Sequence, residues 1–306
     1  MIGADGGGNG GVIVMASPEW YEVSYTINPW MRPDEWGRDR DGARQRAQAQ
    51  WDALADRLRR AGMTVEVVPA APGLPDLVFP ANSAVVLDRR ALLARFRRPE
   101  RRGEEACFLR FFEDLRRRGL IDHVQRMPDG IFQEGAGDCL WDSSRGLFWG
   151  AHGPRSAPES LDHIAGFFDA PVVGLELITD RFYHLDTCFS VLSGGEIVYF
   201  PPALSRESRE AVAERVPPEQ RIVATEDEAH AFSLNAICLG HDLIMTPPPP
   251  RLRAMLEERG YRCIGIDLSS FVLSGGASFC MTLRLDHTGG RLTADAGGPS
   301  AERIGS

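Results

Sequence analysis

Four short stretches of this 306-residue chain carry side chains able to do chemistry where turn formers alone would serve. Cys280 ends the Gly-rich run Ser274-Gly275-Gly276-Ala277-Ser278-Phe279-Cys280, a setting in which backbone N–H groups can face developing negative charge. His184-Leu185-Asp186, read as part of a strand, puts an imidazole and a carboxylate on one face, because side chains alternate with period two. Glu134-Gly135-Ala136-Gly137-Asp138 packs two carboxylates among small residues just before a strand, and Asp76-Leu77-Val78-Phe79-Pro80-Ala81-Asn82 carries an apolar run to an amide. A cysteine beside backbone N–H groups, an imidazole and nearby carboxylates are the residue types of nucleophilic and acid–base chemistry. Taken singly, each has an ordinary explanation. An acid in a Gly-rich turn is a turn former, a strand histidine is structural, a cysteine beside a loop packs as a small hydrophobe, and Asn82 closes a turn. His184 and Asp186 also resemble two metal ligands, but no third ligand has the right context, so neither a metal nor an organic cofactor is expected.

The composition narrows the partners. A net charge of −9 argues against nucleic acid or an anionic membrane and suits a small cationic substrate. No apolar run approaches the roughly 18 residues that a membrane span needs. The six cysteines include no close pair, the nearest being Cys263 and Cys280, 17 residues apart, which excludes a zinc knuckle by spacing. Residues 1–11 lack the basic and apolar regions of a signal peptide. Reduced thiols and a cytoplasmic location are therefore expected, with five of the six cysteines read as small core hydrophobes. The oligomeric state is not written in the chain, which leaves room for a homo-oligomer, most commonly a dimer.

The elements that must position these residues repeat one grammar. Val12 to Met15 is an apolar run typical of a buried strand. The helical spacing of Ala43, Ala47, Trp51, Leu54 and Leu58 follows, closed by Gly62 and a strand at Val65 to Val68. Hairpins are expected about Asp88-Arg89-Arg90, Asp142-Ser143-Ser144-Arg145 and Ser193-Gly194-Gly195, and between Ala236–Leu239 and Leu243–Met245. Helical patterns follow them at Ala106–Leu115, Leu161–Phe168, Ala211–Val216 and Leu252–Leu256, and strands at Val172–Gly174 and Cys263–Ile266. A hairpin–helix–strand unit repeated about five times, with a period of roughly 50 to 60 residues, indicates an α/β or α+β chain built by radial or stacked repetition. One domain over 12–287 is expected, with Gly-rich flexible ends at 1–11 and 288–306.

The order and wording of these motifs resemble the guanidino-modifying, or pentein, superfamily, which includes arginine deiminases, dimethylarginine dimethylaminohydrolases and amidinotransferases. The likeness runs from about Val12 to Leu285 and is nearest to the bacterial arginine dihydrolase branch. It is carried by Tyr25-Thr26-Ile27-Asn28-Pro29-Trp30-Met31, Leu74-Pro75-Asp76-Leu77-Val78-Phe79 and Tyr183-His184-Leu185-Asp186-Thr187. The resemblance implies an α/β propeller of five ββαβ units with pseudo-fivefold symmetry. It implies Cys280 as nucleophile, His184 as general acid and base, and Glu134 as the group that orients His184. It further implies Asp186, Asp76, Asn82 and Asn28 as contacts to the substrate, with Arg101 and Arg155 gripping its carboxylate. The expected activity is hydrolysis of arginine to ornithine, carbon dioxide and ammonia through an amidino-cysteine intermediate. The alternatives are a deiminase, a dimethylarginine-type hydrolase acting on a modified arginine, and an amidinotransferase. Amides at Asn28 and Asn82 favour the dihydrolase, because an amide both donates to and accepts from a neutral ureido group. The chain departs from the branch at Ala151-His152-Gly153-Pro154-Arg155 and in the bulkier Gly275–Phe279 loop, both beside groups expected to touch the amino-acid end of the substrate.

Overall fold

Strand pairing sorts this chain into three sets. In the computed structural model, which describes residues 10–289, five strands form the inner set: β3 (Ala84–Leu87), β6 (Cys139–Asp142), β9 (Phe189–Val191), β12 (Ile237–Leu239) and β15 (Leu283–Arg284). Each pairs antiparallel with a middle strand, in order β4 (Arg90–Leu93), β7 (Leu147–His152), β10 (Ile197–Tyr199), β13 (Asp242–Met245) and β1 (Val12–Ala16). Each middle strand pairs in parallel with a more exposed outer strand: β5 (His123–Arg126), β8 (Val172–Glu176), β11 (Arg221–Val223), β14 (Arg262–Gly265) and β2 (Thr64–Val68). A parallel pair needs a crossover, supplied here by α2 (Arg40–Arg60), α3 (Glu104–Arg117), α4 (Ser160–Phe168), α5 (Arg206–Arg215) and α7 (Pro250–Glu257). The short helices α1 (Pro33–Gly37), α6 (Glu226–His230) and α8 (Ser269–Val272) sit in the connections. These five three-stranded sheets are the five ββαβ units expected.

The ends of the described chain complete the ring together. β15 pairs with β1 in the register Ile13↔Arg284 and Val14↔Leu283, so one unit draws its inner strand from the far end of the sequence. The helices follow their predicted faces: α2 buries Ala43, Ala47, Trp51, Leu54 and Leu58, and Asp39 caps it by accepting from Gly42 N at 3.1 Å. All four predicted hairpins form.

Two expectations are corrected, and three strands have no counterpart among them. The outer strands β5 and β11 and the inner strand β15 carry no sequence signal of their own, since they are two to four residues long and partly exposed. The His184–Asp186 segment is not a strand. His184 is extended, but Thr187 Oγ1 donates to His184 O at 2.6 Å and closes a 3-10 turn over Leu185–Thr187. Of the cysteines read as core, Cys139 and Cys188 are buried, whereas Cys107, Cys238 and Cys263 are half-buried, and all six are free. Among the described residues no helix is long and apolar enough to cross a membrane. The flexible-end expectation for residues 1–9 and 290–306 falls outside the described residues.

Candidate active site

Every unit delivers chemistry at the same place, the turn leading into its inner strand. Asn82 lies two residues before β3, Asp138 immediately before β6, Asp186 three before β9, Asn235 two before β12 and Cys280 three before β15. Tight turns of the 3-10 type carry Asn82, the residues after Glu134, and Asp186, which brings residues distant in sequence to one end of the propeller axis. The turns pack so closely that a side chain at Gly137 would place its Cβ 2.2 Å from Asn82 Nδ2. That contact explains the small residues between Glu134 and Asp138.

Cys280 is buried and held from two sides. Its thiol donates to Asp186 Oδ2 at 3.0 Å, and Asn235 Nδ2 donates to its Sγ at 3.0 Å. Burial, then the charge of Asp186, pushes the thiol well above its ordinary value. Burial likewise raises Asp186, to about 7. The second oxygen, Asp186 Oδ1, is buried without a hydrogen-bond partner among the described residues, and so is Asp76 Oδ1. Orphaned buried carboxylate oxygens are costly, and they are the acceptors that a planar cationic donor would satisfy. Asp76 is otherwise held by Tyr25, whose hydroxyl donates to Oδ2 at 2.9 Å, and burial raises its carboxyl too.

His184 stands in a separate relay. Its Nε2 is 2.8 Å from Glu134 Oε2, which also accepts from Arg155 Nη1 at 2.9 Å, while Glu134 Oε1 accepts from Arg97 N at 3.1 Å. Burial alone would raise Glu134, but Arg155 and His184 outweigh it and hold the carboxyl below its usual range. An ionised Glu134 fixes Nε2 as the protonated nitrogen and turns Nδ1 toward the Asn82 amide, 3.4 Å away. Arg101 Nη1 donates to Asn82 Oδ1 at 2.8 Å, which aims the Asn82 NH₂ at Nδ1. Asp138 anchors the same turn by accepting from Ser156 Oγ at 2.6 Å and from Leu185 N at 3.0 Å, and burial pushes its carboxyl up to about 6. No hydrogen bond joins His184 to Cys280 among the described residues, so the sulfur is surrounded by an acid and an amide rather than by an imidazole.

The structure brings all nine expected residues to this end of the axis or its mouth, with different duties. Arg101 is buried and fully engaged, through two bonds of 2.9 and 2.8 Å to Glu104 and one of 3.1 Å to Asp76 O. Arg155, besides Glu134, donates to Ile27 O at 3.1 Å and stacks on Tyr183 at 4.6 Å. Asn28 ties Ser274 O to Trp30 N, at 3.0 and 2.9 Å, and Tyr183 donates to Gly275 O at 2.7 Å, so the Cys280 loop is strapped to the Asn28 segment. A mouth cavity of about 290 Å³ opens among Thr26, Asn28, Arg98, Pro154, Arg155, Asp180 and Tyr183. A larger cavity of about 370 Å³ lies toward the other ends of the inner strands, among Cys139, Ser190, Cys238, Arg284 and His287. Neither cavity is lined by Cys280, His184 or Glu134, and of the expected residues only Asn28 and Arg155 line one, the smaller. Among the described residues no group of three or more His, Cys, Asp and Glu side chains is arranged to hold a metal ion.

Sequence reasoning missed Asn235, Arg98 and Asp180. Asn235 had a usable signal. Phe232-Ser233-Leu234-Asn235 repeats the spacing of Phe79-Pro80-Ala81-Asn82, and both amides sit in the same turn, with the Asn N–H donating to the Phe carbonyl at 3.2 Å. Arg98 and Asp180 are ordinary exposed charges in sequence and become meaningful only by lining the mouth.

Known proteins resemble this chain in sequence and fold. A family described as N,N dimethylarginine dimethylhydrolase, eukaryotic, matches residues 24–286. The bifunctional arginine dihydrolase/ornithine cyclodeaminase ArgZ of Synechocystis is 39% identical over 273 residues, spanning 89% of this chain and 37% of that protein. The chain therefore covers well under half of that relative. The N(G),N(G)-dimethylarginine dimethylaminohydrolase of Mycobacterium tuberculosis is 34% identical over 275 residues, spanning 89% of this chain and 84% of that one. A crystal structure of the N-terminal domain of ArgZ, an Asn-to-Ser variant covalently bonded to a reaction intermediate, superposes with a TM-score of 0.83 at 38% identity, covering 90% of this chain and 98% of that one. With its five ββαβ units and the motifs of the site in family order, the chain belongs to the dimethylarginine dimethylaminohydrolase family of the guanidino-modifying, or pentein, superfamily.

Proposed function

We propose that the chain is a cysteine-dependent arginine dihydrolase, converting arginine and two waters to ornithine, carbon dioxide and two ammonia. The observation that carries this reading is Cys280 Sγ bonded to Asp186, whose other oxygen is buried without a partner among the described residues. A guanidinium presents paired N–H donors to such oxygens through charge-assisted bonds. Its positive charge lowers the cost of a buried thiolate. As the cation binds, the thiol loses its proton to solvent, Sγ bonds to the guanidinium carbon, and protonated His184 gives its proton to the departing nitrogen, which leaves as ammonia. His184 then takes a proton from water, the hydroxide adds to the amidino-thioether carbon, and the C–S bond breaks to release citrulline.

The second round needs a neutral ureido group held in place of a cation. Asn82 supports that step, because its NH₂ makes only long 3.4 Å contacts, to His184 Nδ1 and Glu134 O, and can be re-aimed at a ureido oxygen. Attack by Sγ expels the second ammonia, and water releases a carbamate that breaks down to ornithine and carbon dioxide. At the mouth, Arg98, Arg155 and Asp180 carry charges complementary to the carboxylate and ammonium of a free amino acid. The relatives support the reading: ArgZ bears the dihydrolase name, and its N-terminal domain has been seen bonded to an intermediate.

The test is incubation of the purified protein with L-arginine, followed by mass spectrometry, beside Cys280→Ala and Asn82→Asp variants. Ornithine from the native protein and citrulline accumulating with Asn82→Asp are the expected results. Citrulline as the native end product means a deiminase, and reaction with methylated arginines alone means the other activity named in the family. Equal turnover by Cys280→Ala refutes the covalent mechanism.

A further inference from the structure

We propose that Asn235 is a catalytic residue that stabilises the charge of Cys280 once its thiol has ionised. The inference rests on Cys280 being the nucleophile and adds the group that stabilises its charge. Asn235 Nδ2 lies 3.0 Å from Sγ and 3.1 Å from the carbonyl oxygen of Asp186, so one NH₂ serves both residues. Its Oδ1 accepts from Cys280 N at 3.1 Å. That bond fixes the amide orientation, because a flipped amide would set an oxygen against the sulfur and an NH₂ against an N–H. The backbone around it is equally constrained. Ser278 Oγ donates to Asn235 O at 2.6 Å, and Asn235 itself is fully buried.

The need for such a donor follows from the other contacts of the sulfur. In the resting site the thiol donates to Asp186, and the nearby carboxylate opposes ionisation. Once Sγ has lost its proton, the bond to Asp186 becomes a repulsion, and no imidazole contact offsets it among the described residues. The Asn235 N–H is then the hydrogen bond that survives, and a bond to an ionised acceptor is stronger than one to a neutral one. Asn235 also ties the sulfur to the Asp186 backbone, so the nucleophile and the acid that receives the cation keep a fixed spacing as charge moves between them.

The experiment reads the thiolate directly, without turnover. Iodoacetamide reacts with the thiolate, forming an S–C bond with loss of iodide, and peptide mass spectrometry resolves Cys280 from the other five cysteines. Alkylation rate is measured against pH for the full chain and for Asn235→Ala and Asn235→Leu, with circular dichroism reporting the fold. Asn235→Leu keeps the side-chain volume and removes the donor to Sγ without adding a charge, so it stays informative if Asn235→Ala fails to fold. The expected result is a rise of at least one pH unit in the alkylation midpoint, a drop of about tenfold at fixed pH, and a parallel fall in kcat. A folded variant whose alkylation profile superimposes on the native one overturns the proposal. Native arginine turnover, measured separately, tells that failure apart from failure of the dihydrolase reading.

Discussion

Replacing Glu134 by Gln isolates the relay behind His184. The side-chain volume is kept, but the carboxylate that accepts from both His184 Nε2 and Arg155 Nη1 becomes neutral. A hydrogen bond to a charged group contributes about 1.5–3 kcal/mol. Losing the one that stabilises imidazolium while His184 carries a proton therefore lowers kcat by roughly 10- to 150-fold, at about 1.4 kcal/mol per tenfold. Arg155 meanwhile keeps its charge in a buried site without a counterion, which costs about 3–5 kcal/mol of stability. Glu134 ionises below its ordinary range in the folded chain. Its contribution to stability is therefore full above the unfolded carboxylate value of about 4.3 and is lost as pH falls through the folded one. Urea unfolding of native and Glu134→Gln protein should show a constant gap from about pH 5 to 8, narrowing below about pH 4. Cys280 alkylation should be unchanged, because the thiol bonds to Asp186 and Asn235 rather than to the relay. A folded Glu134→Gln enzyme with kcat within about threefold of native refutes the relay.

Arg98→Ala tests the mouth: KM for arginine should rise roughly two- to fivefold, the range for an exposed charge contact, with kcat unchanged, and a fall in kcat with no change in KM would exclude Arg98 from binding. Gly275→Ala should lose at least about 1–2 kcal/mol in urea unfolding, because Gly275 has a φ of +87°, a conformation that costs an L residue about that much. The new Cβ would also lie 2.9 Å from Asn28 Oδ1 and 3.1 Å from Tyr183 Oη, so turnover should fall with it, and a fully stable, fully active variant would show that the loop does not need this glycine.

What could be read from the sequence depended on whether a feature has a local cause. The four hairpins and the buried face of α2 announce themselves through turn chemistry and apolar spacing, and both follow the predicted pattern. The short outer strands do not. His123-Val124-Gln125-Arg126 is half exposed and becomes a strand only because β4 lies alongside it. Cys280, His184, Glu134 and Asp186 were legible as odd residues in small-residue settings, and their shared location follows from the repeat, since each precedes an inner strand. Arg101 shows the opposite case. It lies in an Arg-rich stretch that looks solvated, yet it is buried because Glu104, Asn82 and the Asp76 carbonyl satisfy it from three directions. No pattern in one segment could report that. Asn235 lay between these extremes, visible only to a comparison of Phe232–Asn235 with Phe79–Asn82.

The charges of the resting site bear on the order of events. Cys280 is held as a thiol, and Asp186, at about 7, is only partly ionised near neutral pH. Burial is the first cause in each case, and in both it disfavours the ionised form that the proposed reaction needs. A guanidinium reverses both together. It favours ionised Asp186 by direct bonding and favours the thiolate through its charge, so the nucleophile is armed mainly when the cationic substrate is present. On the proposed dihydrolase reading the same logic makes a second round harder, because a ureido group brings no charge to offset that of the sulfur. The work then falls on neutral donors already in place, the Asn82 amide beside His184 and the Asn235 amide on Sγ. The two amides occupy equivalent turns in two different units of the propeller. On that reading these two amides replace the charge that the ureido group lacks.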